Sequence, residues 1–287
     1  MIQVDTMYSI FYVLLPVILL LIYIFYKMTR RFFSISNFTS NASENIIFFT
    51  KDDVAVFLSQ DKDRYVSNMS EIDFYARRVK NASEYIQNIV QCTQDLNELQ
   101  QKKLRRCVKK ADEFLANNIY KGILKCKDIA KIPWKFALTN KSGKMEYEEG
   151  LPHTREDIIF LSSYTINDAI AVDKNDEHLV STLIHEKVHV FQRYYPLIVG
   201  NILIQLGYKH VDHVNTDLRR SNPDINDKVY TNAEGQILLT SYTSDRPSGI
   251  NDVKNSNHAM EHPYEMMAYD IANEYTKQNL IRMMVHL

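Results

Sequence analysis

The longest break in an otherwise mixed pattern of apolar and polar positions is an uncharged run at residues 6–26, bounded by Asp5 and Lys27. Its 21 residues would extend about 31 Å as a helix, against a bilayer hydrocarbon core of about 30 Å, and so predict a transmembrane helix. Tyr8, Phe11, Tyr12, Tyr23, Phe25 and Tyr26 gather toward its ends as an aromatic belt, and Pro16 near the middle is a tolerated kink. No Lys or Arg precedes the run and no small-residue cleavage site follows it, which favours an uncleaved anchor over a signal peptide. Lys27, Arg30 and Arg31 after the run place the bulk of the chain in the cytosol by the positive-inside rule. The triplets beginning at Asn37, Asn41, Asn68 and Asn81 have the form of glycosylation sequons and point to the luminal side, so the topology stays open.

After a linker at residues 27–49, the pattern is helical and predicts an all-α region at 50–131. Thr50 with Asp53, and Ser70 with Asp73, read as N-caps followed by acidic first turns. A helix near residues 95–117 carries Lys102, Lys103, Arg105, Arg106, Lys109 and Lys110, read as a solvated face in preference to a contact with anionic lipid or a partner. From residue 132 the period changes. Residues 134–138 read as a strand, Asn140 to Gly143 as a turn, 146–149 as further strand and turn, and 157–162 as a second strand. A helix spans residues 176–194, a short apolar helix expected in the core spans 197–206, and a hairpin turns at 232–235. Pro263 opens a closing helix. The fold class is α+β, with the 132–287 region forming a domain of its own.

Composition narrows the chemistry. Thirty-four basic and thirty-five acidic side chains give a formal charge of −1, so no global field attracts nucleic acid and no nucleic-acid partner is expected. Cys92, Cys107 and Cys126 contain no Cys-x-x-Cys pair, which argues against a disulfide framework and against a thiolate zinc site. Nucleotide-binding glycine motifs and a Gly-x-Ser-x-Gly elbow are absent.

The informative residues are His185-Glu186-Lys187-Val188-His189, an HExxH on the 176–194 helix. A spacing of four puts both imidazoles on one helix face, where they can hold one Zn²⁺, and leaves Glu186 beside the metal as a general base toward water. A catalytic zinc takes three protein ligands. Glu265, one turn into the closing helix and followed by Ala268, is the best third ligand. His262, four residues from His258, is its rival, and Glu261 is a further candidate. Donors for the oxyanion are sought among His210, His213, Tyr242, His258 and Tyr264, and His153 is placed to line the cleft. The pair His210 and His213 could hold a second metal, but ordinary structural hydrogen bonds are the better reading.

HExxH with a downstream Glu-x-x-Ala resembles the gluzincin branch of zincin metallopeptidases, whose best-known member is thermolysin. The resemblance covers roughly residues 134–287 in the order of elements and rests on those two motifs. It implies a zincin-like domain with a small sheet and an active-site helix, zinc held by His185, His189 and Glu265, and Glu186 as the catalytic base. It also implies a peptide or protein substrate that adds as a strand along residues 157–162, taken as the sheet edge. The family's acidic residue four positions after the glutamate ligand is replaced by Tyr269, and Asp270 one step on points off the ligand face. The sequence thus predicts a membrane-anchored zinc-dependent metallopeptidase. The alternative from another class is a catalytically silent zincin-like binding or virion-structural membrane protein.

Overall fold

The computed structural model describes residues 46–171, 176–215, 217–254 and 261–285. The 6–26 run and His258 lie outside these residues, and no helix among the described residues is long and apolar enough to cross a membrane.

The described chain is an α+β structure built on one mixed sheet. Strand β1 (Ile46–Phe48) runs parallel to β5 (Trp134–Thr139), β5 parallel to β7 (Ile158–Ser162), and β6 (His153–Arg155) antiparallel to β7. β2 (Thr93–Gln94) pairs antiparallel with β5 beyond β1. Side chains alternate across β5 and β7. Trp134, Phe136, Leu138, Ile159 and Leu161 enter one core, while Ala137, Ile158 and Phe160 enter another on the opposite face. A strand covered on both faces reads as a continuous apolar run, which accounts for Ile158-Ile159-Phe160-Leu161.

This topology corrects the reading of residues 157–162 as the sheet edge: β7 lies between β5 and β6, and β6 is the edge. It also corrects the all-α reading of residues 50–131. Helices α1 (Lys51–Gln60), α2 (Glu71–Ala76), α3 (Ala82–Val90), α4 (Glu98–Asn117) and α5 (Lys127–Ala130) are interrupted by β2 and by the ribbon of β3 (Ile119–Tyr120) and β4 (Leu124–Lys125). Thr50 and Ser70 form capping boxes with Asp53 and Asp73, as their sequence positions predict. Glu146 is extended and Tyr147–Gly150 form a 3-10 turn, with Glu148 and Glu149 at positive φ (47° and 53°); the Glu148 carboxylate turns inward to meet Arg77 at 2.6 Å.

After β7 come α6 (Ser163–Ala171), α7 (Asp176–Tyr194) and α8 (Pro196–Gln205). α7 matches its sequence-predicted span, and its apolar face joins α4 and the sheet in the larger core. The basic face of α4 is not simply solvated: Lys103, Arg106 and Lys110 converge on Asp176, the first residue of α7, at 2.7, 2.6 and 2.6 Å. α8 enters the core only along Val199, Ile202 and Leu203. Leu197 and Ile204 are 74% and 71% exposed, because a single stripe of a ten-residue surface helix can face inward. The strands β8 (Lys209–Val211), β9 (Val229–Thr231) and β10 (Ile237–Leu238) form a small antiparallel sheet that includes the predicted hairpin, and α9 (Pro263–Val285) closes the chain against α7.

Candidate metal centre

Two helices build the site. α7 is held to the sheet by Lys187, whose buried ammonium donates to the Ile132 carbonyl and lies 3.8 Å from the centroid of the Trp134 ring. Burial pushes this lysine down to about 7. With that side of α7 committed to the sheet, His185 and His189 face α9. α9 begins at His262, whose Nδ1 accepts from the Tyr264 N–H at 3.1 Å and whose carbonyl accepts from Met266 N–H, so His262 acts as a cap. Buried Ala268 and Ala272 let α9 approach α7 closely, and Glu265 in its first turn meets the two histidines.

His185 Nε2 and His189 Nε2 are 3.0 Å apart, and Glu265 Oε2 lies 3.3 Å from the first and 3.6 Å from the second. A tetrahedral zinc with ligands at about 2.0–2.2 Å separates them by about 3.3–3.6 Å; both distances to Glu265 match one such ion, and the histidine pair stands about 0.3 Å closer. Among the described residues this is the one group of three or more His, Cys, Asp or Glu side chains close enough to share a metal. Neighbouring side chains orient two of the three groups. Gln192 Nε2 donates to the Tyr264 carbonyl at 3.0 Å, which leaves Gln192 Oε1 to accept from His189 Nδ1 at 2.9 Å. When this ring is neutral, its lone pair sits on Nε2, toward Glu265. Asn222 Nδ2 donates to Glu265 Oε1 at 3.0 Å and turns the other carboxylate oxygen toward the histidines.

Burial and charge act on the same few groups. Burial opposes a charge on His189, yet Glu265 and Asp224 outweigh it and raise its pKa to about 9. Burial would raise Glu265, but the two histidines hold it well below the carboxylate range. Glu186 is driven well above that range by burial, with Asp224 and Glu265 adding to the effect. Its Oε2 is buried and has no hydrogen-bond partner among the described residues. Glu186, His185, Glu265 and Tyr269 line a cleft of about 640 Å³. The Tyr269 ring packs 4.5 Å from that of His185, where a carboxylate was looked for. Asp270 turns away, to Tyr120 and Lys121 at 3.1 and 2.7 Å.

The other candidate residues have different duties. His262 Nε2 donates to Asn226 Oδ1 at 3.1 Å, and burial pushes its pKa down to about 3. Glu261 pairs with Arg220 at 2.5 Å. Neither joins the metal group. Of the oxyanion candidates, Tyr242 and Tyr264 are not among the residues lining the cleft. His153 lines the cleft, but its Nδ1–H donates to the Leu151 carbonyl at 2.9 Å, and burial lowers its pKa and keeps the ring neutral. The Tyr242 hydroxyl donates to Asp73 at 3.0 Å, and the Tyr264 ring packs on His262 in the core. His210 contacts Asp212 at 3.1 Å on the surface and builds no second centre.

Sequence reasoning missed Gln192, Asn222 and Asp224. Gln192 was within reach, since three residues after His189 is a neighbouring position on the same helix face. Asn222 and Asp224 sit in irregular chain, where no period marks them. No protein-family model matches the chain, and neither a curated protein nor a solved structure is significantly similar to it.

Proposed function

We propose that the protein is a zinc-dependent metallopeptidase of the gluzincin type that hydrolyses peptide bonds. The observation that carries this reading is the convergence of His185, His189 and Glu265 on one point beside the unpartnered carboxylate of Glu186. His185, His189 and Glu265 would hold the ion. When bound, it would polarise the scissile carbonyl and acidify the attacking water. Glu186, whose Oε2 has no hydrogen-bond partner among the described residues, takes the proton released as water adds to the carbonyl carbon and passes it to the amide nitrogen as the C–N bond breaks. Tyr269 lines the same cleft and, with burial pushing its pKa up to about 12, keeps a phenolic proton to donate to the carbonyl oxygen. The N-terminal run at residues 6–26 supports a membrane anchor with the catalytic region on the cytosolic side.

One observation favours the second reading, a metal-holding protein without hydrolysis: the sheet edge beside the site is closed to an added strand, since the Thr154 N–H and carbonyl are bonded to Asp224 and Arg193. Metal analysis and peptide cleavage separate the two. The purified chain is expected to contain one zinc, and Glu186→Gln is expected to keep it while cleavage falls at least about 100-fold. A parent protein that holds zinc but cleaves nothing in a broad peptide library belongs to the second class.

A further inference from the structure

Strand addition needs outward-facing main-chain groups on an edge strand. On β6 those groups belong to Thr154. Its N–H donates to Asp224 Oδ1 at 2.7 Å, and its carbonyl accepts from Arg193 Nη2 at 3.1 Å. Its hydroxyl is bonded to the same two side chains. Two residues upstream, Pro152 has no N–H to offer. The segment that carries Asp224 is itself anchored. Ser221 bonds Asp73 at 2.9 and 2.8 Å, Arg220 pairs with Glu261, and Asn222 holds Glu265, so lifting it would disturb a metal ligand.

The cleft continues elsewhere. From His185 toward the start of α7, Thr182, Ser181, His178 and Glu177 follow at helical spacing. From Glu265 along α9, Tyr269, Asn273 and Thr276 do the same. The two stripes face each other: Ser181 Oγ donates to the Ala272 carbonyl at 3.4 Å and lies 3.4 Å from Thr276 Oγ1. We propose that the substrate segment on one side of the scissile bond lies in this furrow between α7 and α9 and is read by side chains, not by strand addition. The proposal rests on the metallopeptidase reading. The eight helical steps from Glu177 to His185 run about 12 Å, which spans three or four extended residues at about 3.3 Å each. Hydroxyls, the Asn273 amide and the Glu177 carboxylate line the furrow; among the described residues of α7 and α9 that line the cleft there is no Lys or Arg, and the cleft's Arg77 and Arg220 are paired with Glu148 and Glu261, so the segment it takes carries polar or cationic side chains.

The test uses the zinc-loaded full chain and a peptide library with polar, basic or large apolar residues on either side of the cleaved bond. Cleavage is expected to favour polar or basic residues on one side. Thr182→Arg and Asn273→Arg should each raise KM at least tenfold with kcat and zinc content within twofold. Hydrogen exchange at the Thr154 amide should be slow, and should stay slow when a cleaved peptide is added to Glu186→Gln. Cleavage with KM unmoved in both furrow variants, or a Thr154 amide that opens on binding, overturns the furrow and leaves the peptidase standing. A zinc-loaded parent that cleaves none of the library sinks both.

Discussion

His262 and Glu265 stand three residues apart, and both were candidates for one coordination position. The start of α9 separates them. At the cap, the His262 ring folds back on the Tyr264 N–H, while Glu265, inside the first turn, projects toward α7. His262→Ala is therefore expected to cost about 1 kcal/mol of stability, as loss of a helix cap does, with zinc content unchanged. Gln192→Ala and Asn222→Ala should do the reverse. Each leaves the melting temperature nearly unmoved and weakens zinc binding by about 10- to 100-fold in a chelator competition, because each frees a ligand to rotate. Equal affinity in all three variants and the parent would refute this division of labour. HExxH is legible in the sequence since it needs only one helix and its period. Glu265 was reachable by motif, but the choice between it and His262 depended on how a cap forms.

At the level of elements, the start of α7 is fixed from outside the helix. Lys103, Arg106 and Lys110 lie on one face of α4 at spacings of three and four, and all three meet Asp176. Burial would raise the Asp176 pKa, but hydrogen bonds from Lys103, Lys110 and Arg106 outweigh it and lower it. A depressed carboxylate contributes stability that is complete above its unfolded pKa of about 3.9 and is lost as pH falls below that value toward the folded one. Asp176→Asn is expected to remove about 1–3 kcal/mol at pH 7, a figure reduced for solvent screening because Arg106 and Lys110 are nearly half exposed. Urea unfolding should show the gap between parent and variant constant from pH 7 to about 5 and beginning to narrow only as pH falls below about 4; a gap unchanged down to the acid limit would contradict the pairing. The basic stripe was visible in the sequence. Its partner was not, since Asp176 is distant in the chain and carries no mark of the pairing.

For the whole molecule, the division at residue 131 does not separate two cores. Leu104, Cys107, Val108, Ala111 and Leu115 of α4 share one apolar cluster with β5, α7 and α9, and β1 and β2 complete the sheet on β5. The fragment 132–287 is accordingly expected to lack a cooperative thermal transition when expressed alone, while 46–287 melts as one unit. Independent folding of the shorter piece, judged by calorimetry and by dispersed amide resonances, would restore the boundary.

The sequence by itself determined what depends on near neighbours: the capping boxes at Thr50 and Ser70, the span of α7, the hairpin at residues 232–235, and the two histidines on one helix face. Each is set by backbone dihedrals and side-chain periods within a few residues. Only the tertiary structure decided which strand is the edge, that Thr154 is sealed by Asp224 and Arg193, that Asn222 and Gln192 orient Glu265 and His189, and that α4 belongs to the same core as α7. Those relations join residues or elements brought together by packing. Even Gln192, adjacent to His189 on its helix, is oriented by the Tyr264 carbonyl of another helix. Two-residue strands such as β2 carry too few positions to show a period, so their pairing follows from the sheet they complete.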